Sequence, residues 1–294
     1  MKEIGGYFGL EQLVQNEYYN NLIALNTARN ALLYTLKSKN IKKIYLPYFL
    51  CDSVSHMCDV NHYEYEYYYI DNKFLPRFEK QLKENEYLYI VNYYGQLDNN
   101  VIQALIIKHK NIIVDNVQAF FQPPIAGIDT IYSCRKFFGV PDGAYLSTNQ
   151  FLPEELEIDI SSDRMTHLFG RFESNNASKY YSHFQQSDES FEKLHLKKMS
   201  LITKNLLGAI DYSKVKLQRD NNFILLDKYL SDKNPLKLNT PAGPYAYPFY
   251  CEDGLSIKKK LAENKIYIPT LWPNTINSKD SIAEDFAKNI LPLP

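Results

Sequence analysis

Few features of this 294-residue chain point to a charged partner, a membrane or a metal. Lysine plus arginine (33) and aspartate plus glutamate (34) nearly cancel, leaving a formal net charge of -1. No broad attraction to nucleic acid or anionic lipid is therefore expected. The run Lys258–Lys260 is short and reads as the solvated face of a helix. No apolar stretch is long enough to span a bilayer, because Glu, Asn, Lys or Asp interrupts each one. The opening MKEIGGYFGLEQL lacks the charged-then-apolar layout of a signal peptide. The four cysteines form no CxxC pair and have no histidine at metal spacing, so no metal site is expected. Free thiols in a cytoplasmic protein is the plain reading. No GxGxxG follows a strand, which counts against a Rossmann-like nucleotide site.

What remains is a chain of ordinary apolar content (45%), long enough for two domains, with an unusual 25 tyrosines. The cluster YEYEYYYI (63–70) alternates and is β-prone. A base-stacking surface would interleave Arg and Lys. Here Glu64 and Glu66 interleave, so a strand with one tyrosine-covered face is expected.

Strand and helix signals alternate through the first two thirds. Helices are expected at 26–39, 51–60, 75–85 and 99–110. Strands are expected at 42–49, 64–70, 86–95, 111–115, 129–134 and 143–148. That alternation argues for an α/β fold, a mostly parallel sheet with helices on both faces. Ligands in such sheets bind beyond the strand carboxyl ends, where Gly95, Asp115 and Ser133 fall. Beyond residue 151 polar and helical signals dominate to Leu207. The stretch 161–190 reads as a mobile loop or a partner-facing arm, with Asn175 or Asn176 as candidate contributors. Residues 1–207 thus read as a large domain, with its core at 20–150 and an extension at 151–207. Residues 208–294 read as a small α+β domain, with strands near 241–250 and 265–271 and a helix at 254–264. The chain stops at ILPLP after an apolar segment, which leaves an incomplete small domain as one reading.

The densest chemistry runs from Asp115 to Gly143, DNVQAFFQPPIAGIDTIYSCRKFFGVPDG. Singly, these residues have plain structural readings: a solvated loop lysine, or an aspartate that ends a strand as a turn former. Together they set an acid at the end of an apolar run, a hydroxyl at Ser133, and Lys136 twenty-one residues after the acid. Pyridoxal phosphate needs this order of parts. The lysine amine forms a Schiff base, the carboxylate pairs with the pyridinium nitrogen, and a hydroxyl and loop amides hold the phosphate.

The succession NTARNAL, NYYG, DNVQAF, SCRKFFGVPDG resembles the DegT/StrS-type sugar aminotransferases, closely over about residues 20–150 and loosely beyond. The resemblance implies a pyridoxal-phosphate enzyme of the aspartate aminotransferase fold. It would carry an amino group from an amino-acid donor to a nucleotide-linked keto sugar, as a homodimer in which a neighbouring subunit completes the phosphate pocket. It further implies that Thr27 and Ala28 grip the phosphate at a helix N-terminus. Asp115 would pair with the pyridine nitrogen, and Gln118 with the ring's phenolic oxygen. Ser133 would bind phosphate, Lys136 would carry the Schiff base, and Asp142–Gly143 would form the turn that follows. Three departures stand out. The Ser133–Lys136 loop is two residues tighter than the family's. Cys51 falls where a stacking aromatic is usual, with Tyr48 or Phe49 as substitutes. The chain is also shorter than its family. These departures motivate a second reading, a degenerate or non-catalytic binding protein of the same fold.

Overall fold

A computed structural model describes residues 6–294. Its centre is an eight-stranded sheet ordered β1-β8-β7-β6-β5-β2-β3-β4. In chain order the elements of its first half are β1 (Ile23–Leu25), α1 (Ala28–Ser38), β2 (Lys43–Pro47), α2 (Asp52–Val60), β3 (Glu64–Ile70), β4 (Pro76–Arg77), β5 (Glu86–Val91), α3 (Asn99–His109), β6 (Ile112–Asp115), β7 (Asp129–Ser133) and β8 (Ala144–Ser147). Strands β2, β3, β5, β6 and β7 pair in parallel. Strand β8 runs antiparallel to both β7 and β1. So β1 points the same way as the parallel set. Strands β6 and β7 are buried along their whole length, as expected where helices cover both faces of a sheet. The expected α/β architecture with a mostly parallel sheet is what forms.

The second half holds α4 (Thr166–Ser174), α5 (Tyr181–Ser190), α6 (Leu201–Gly208), α7 (Tyr212–Leu230), β9 (Tyr247–Tyr250), α8 (Gly254–Glu263), α9 (Ser281–Asn289) and β10 (Ile290–Leu293). Strands β9 and β10 form a small antiparallel sheet. The main apolar core continues into this half. The Phe49 ring packs 4.4 Å from Trp272, and the Phe74 ring 5.2 Å from Phe286.

Several elements differ from the sequence expectation. Residues 75–85 form no helix. Asp71 Oδ1 accepts from the Lys73 and Leu75 N–H groups, and the turn this makes folds Pro76–Arg77 back along β3 as β4. Residues 265–271 form no strand either, and β9 takes the terminal ILPL as its partner instead. The stretch 161–190 is largely helical rather than a loop. It forms α4 and α5, and Asn175 ends α4 in the left-handed region with φ 48°. Strand β1 and helices α7 and α9 lie outside the sequence expectation.

Candidate functional site

The sheet brings the sequence-identified residues to one edge. Asp115 ends β6, and Ser133 ends the neighbouring β7. Ser133 pairs in register with Ala144 of β8, and Ala144 with Leu25 of β1, which puts Leu25 roughly 10 Å from Ser133 across the sheet at ordinary strand spacing. Thr27 follows two residues after Leu25 and caps α1. Its Oγ1 accepts from the Asn30 N–H at 3.1 Å. The Ala28 and Arg29 N–H groups are left without an intrahelical acceptor, pointing to where an anion would sit.

Gly143 ties these parts together. Its N–H donates to Asn26 O at 2.6 Å, and its carbonyl accepts from Cys134 N–H at 3.0 Å, joining the approach to α1 to the turn after β7. Its φ is +114°, and an added Cβ would lie 2.9 Å from Thr203 Cγ2 and 3.2 Å from Cys134 Cβ. Asp142 beside it is fully buried and accepts from Ser200 N–H at 2.9 Å, Ser200 Oγ at 2.7 Å and the Thr203 hydroxyl. The acid of the acid–glycine turn therefore anchors the start of α6. Gly143→Ala should cost about 1–3 kcal/mol in chemical denaturation, from a backbone conformation that alanine resists and from the steric conflict. A change within a few tenths of a kcal/mol would show that Thr203 and Cys134 yield freely.

Asp115 is buried, 4% exposed. Its Oδ1 accepts from the Val117 N–H at 2.9 Å and its Oδ2 from the Tyr89 hydroxyl at 2.7 Å. Burial pushes its carboxyl up to about 6, against the pull of those two donors and of the Lys136 charge. Gln118 is likewise buried. Its Oε1 accepts from the Tyr94 N–H at 2.8 Å, which leaves its amide nitrogen as the end able to donate. Tyr94 and the following Gly95 both have positive φ, 54° and 73°, so Gln118 clamps a strained bend at the end of β5.

Lys136 lies on a tight turn in which the Phe137 and Phe138 N–H groups both donate to Cys134 O. Those two phenylalanines are buried and fasten the turn, their rings 5.6 and 4.9 Å from that of Phe120. Lys136 itself is exposed, its Nζ 6.0 Å from the centre of the Tyr245 ring. It lines a cavity of about 440 Å³ with Gln218, Arg219 and Asn222 of α7 and with Tyr245 and Tyr267. Thr27 lines a different groove, between α1, α2 and residues 191–196. Sequence reading missed Arg219. It donates to Pro244 O and Tyr245 O at 3.2 Å and to Phe137 O at 3.3 Å, strapping α7 to the lysine turn. No local signal marks it, because its partners lie 25 or more residues away.

Neither expected substitute for the stacking aromatic stands free. Phe49 is fully buried, 5.1 Å from the Tyr93 ring, and Tyr48 stacks on Tyr67 at 4.8 Å. Cys51 is exposed ahead of α2. Among the described residues no three His, Cys, Asp or Glu side chains converge as a metal would need, and no helix is long and apolar enough to cross a membrane.

No protein-family model matches the chain, and no curated protein does. Solved structures do. One is a DegT/DnrJ/EryC1/StrS aminotransferase from Brucella abortus, 14% identical, covering 93% of this chain and 80% of that one with a TM-score of 0.57. Another is NtdA from Bacillus subtilis, solved with bound PMP, 14% identical, covering 93% and 68% with a TM-score of 0.62. A third is the sugar aminotransferase CalS13 from Micromonospora echinospora, 12% identical, covering 93% and 82% with a TM-score of 0.61. The chain thus has the fold of the DegT/StrS-type aminotransferases, the one its motifs resemble.

Proposed function

We propose that the protein is a pyridoxal-phosphate-dependent aminotransferase, moving an amino group from an amino-acid donor to a nucleotide-linked keto sugar. Asp115 carries this reading. It is a buried carboxylate at a central strand end whose two hydrogen-bond donors are neutral and whose pKa is pushed up by burial. A buried charge is costly unless a cation meets it. A protonated pyridine nitrogen is such a cation.

The other donors have the chemistry the same group needs, with Lys136 opening on one cavity and Thr27 on another. The free N–H groups at the start of α1, next to Thr27 and Ala28, and the Ser133 hydroxyl suit a phosphate. The Gln118 amide nitrogen suits a phenolic oxygen, and the Lys136 amine suits an aldehyde carbon. When bound, pyridoxal phosphate supplies an electron sink for the bonds made and broken at the substrate carbon. Asp115 keeps negative charge beside the ring nitrogen and so favours its protonated form. Lys136 takes the proton from the substrate carbon and returns it, the work of a general base and acid in one amine. Arg219 holds the Lys136 turn against α7, and the cavity between them is of a size that small-molecule sites have.

We further propose that residues 1–207 hold the cofactor and 208–294 supply the far wall of the substrate cavity. The working unit is a homodimer in the cytoplasm. Exposed Phe169, Phe172, Tyr181 and Phe184 on α4 and α5 support this surface as the dimer contact. Light scattering giving a monomer that still holds cofactor tightly would defeat the assembly. For the activity, the purified protein is mixed with pyridoxal phosphate and then with single amino acids. A visible absorption band that fades with one donor is expected, and no band at all would refute the function.

A further inference from the structure

Asp115 and Tyr89 lie on one face of neighbouring strands. Tyr89 pairs in register with Ile113, and Val91 with Asp115, so the tyrosine sits two residues behind the acid on β5. Its side chain runs forward along the sheet and places its hydroxyl 2.7 Å from Oδ2. Both residues are buried, so water does not compete for that oxygen. The Tyr89 backbone is held in turn, its carbonyl accepting from the Tyr68 hydroxyl of β3 at 2.8 Å. The groups facing this carboxyl are Tyr68 and Tyr89 within the sheet, Tyr93 on the turn after β5, Cys58 of α2 behind Tyr89, and Lys136 at the edge.

We propose that Tyr89 is a positioning residue for Asp115, fixing one carboxylate oxygen so that the ionised acid faces the sheet edge with its remaining lone pairs. This rests on the aminotransferase reading for its purpose, not for its physics. With Val117 holding Oδ1 as an Asx turn, the carboxylate has one donor per oxygen and a single orientation. A hydrogen bond to the charged form favours it, so Tyr89 works against the desolvation that drives Asp115 toward protonation. Without it the acid would be partly neutral at working pH and a poor partner for a ring nitrogen cation.

The test is Tyr89→Phe in the full chain, with Tyr145→Phe as the control that removes a buried hydroxyl bonded to Glu17 and to neither Asp115 nor Tyr89. Carboxyl NMR of the cofactor-free proteins, labelled at aspartate, reads the Asp115 titration. Tyr89→Phe should raise its midpoint by about one unit or more, as loss of a charge-assisted bond implies, while Tyr145→Phe leaves it near wild type. An unchanged midpoint in Tyr89→Phe, or equal shifts in both variants, overturns the proposal. Pyridoxal phosphate dissociation is then measured from pH 6.5 to 8.5 as a second arm. Retention in Tyr89→Phe should fall about twofold at pH 7 and about threefold at pH 6.5 and recover as pH rises, since moving the midpoint from about 6 to about 7 lowers the ionised fraction by those factors. Loss that is flat with pH would overturn the role toward the ring. If wild type binds no pyridoxal phosphate while the midpoint still moves, the function reading fails and the Tyr89–Asp115 assignment stands.

Discussion

Lys136→Ala should abolish both covalent retention of pyridoxal phosphate and turnover. The side chain would serve twice, as the covalent anchor and as the group that moves the substrate proton. A positioned proton-transfer group contributes ~10²–10⁴-fold, so a rate loss of at least that order is expected. Fold should survive. Lys136 is exposed, and its turn is held by Phe137, Phe138 and the Arg219 strap rather than by its amine. Borohydride reduction of the cofactor-loaded protein followed by peptide mapping locates the attachment. Lys258 is the informative competitor. Burial pushes its amine down to about 8, which favours the nucleophilic form, but it is 7% exposed and donates to Ala287 O. Label on Lys258 in place of Lys136, or an unaltered spectrum in Lys136→Ala, would show the site to be misplaced. Label on Lys136 with no transamination of any donor would favour the non-catalytic reading of this fold.

Where the sequence was readable, a local cause produced the element. IIVD and DTIYS are short apolar runs that end on a polar residue, and both became buried strands with Asp115 and Ser133 at their ends. NTARNAL carried its own cap, because the Thr27 hydroxyl meets the Asn30 N–H within the same turn. What stayed hidden was set by distant partners. Of α7, only Tyr212 and Phe223 are buried, while Leu217, Ile224 and Leu225 face outward, so no apolar stripe announces a 19-residue helix. Phe49 was open to reading as a ring for the cofactor until Tyr93 and Trp272 closed around it. Tyr89 reads as one more core aromatic in EYLYIV, and only the register with β6 shows where its hydroxyl points. The chemistry of the edge was thus legible residue by residue, and its support was not.

Asp115 should also make the cofactor-free protein less stable as pH rises, which a second substitution can expose. Burial pushes the carboxyl up to about 6 in the folded chain, from its ordinary 3.8 when free. Between those values the folded state binds more protons than the unfolded one, so stability falls through that window as pH increases. The difference amounts to about 3 kcal/mol above pH 6 at 1.36 kcal/mol per unit. Asp115→Asn keeps the shape and one oxygen for the Tyr89 hydroxyl, sets an amide nitrogen where Oδ1 accepted from the Val117 N–H, and never ionises. The lost Val117 bond is a pH-independent offset, so by urea denaturation without cofactor the variant should gain on wild type by roughly that amount between pH 4 and pH 7.5. Groups titrating in both proteins cancel in the difference. Yet the variant should bind pyridoxal phosphate more weakly and lose most of its turnover, because the ring nitrogen has lost its anion. A gain in stability with a loss of function at one residue is what a charge retained for chemistry implies. An Asp115→Asn protein that gains nothing on wild type between pH 4 and pH 7.5 would mean the opposite: the carboxylate is already satisfied by its own surroundings, and its place at the end of β6 is structural.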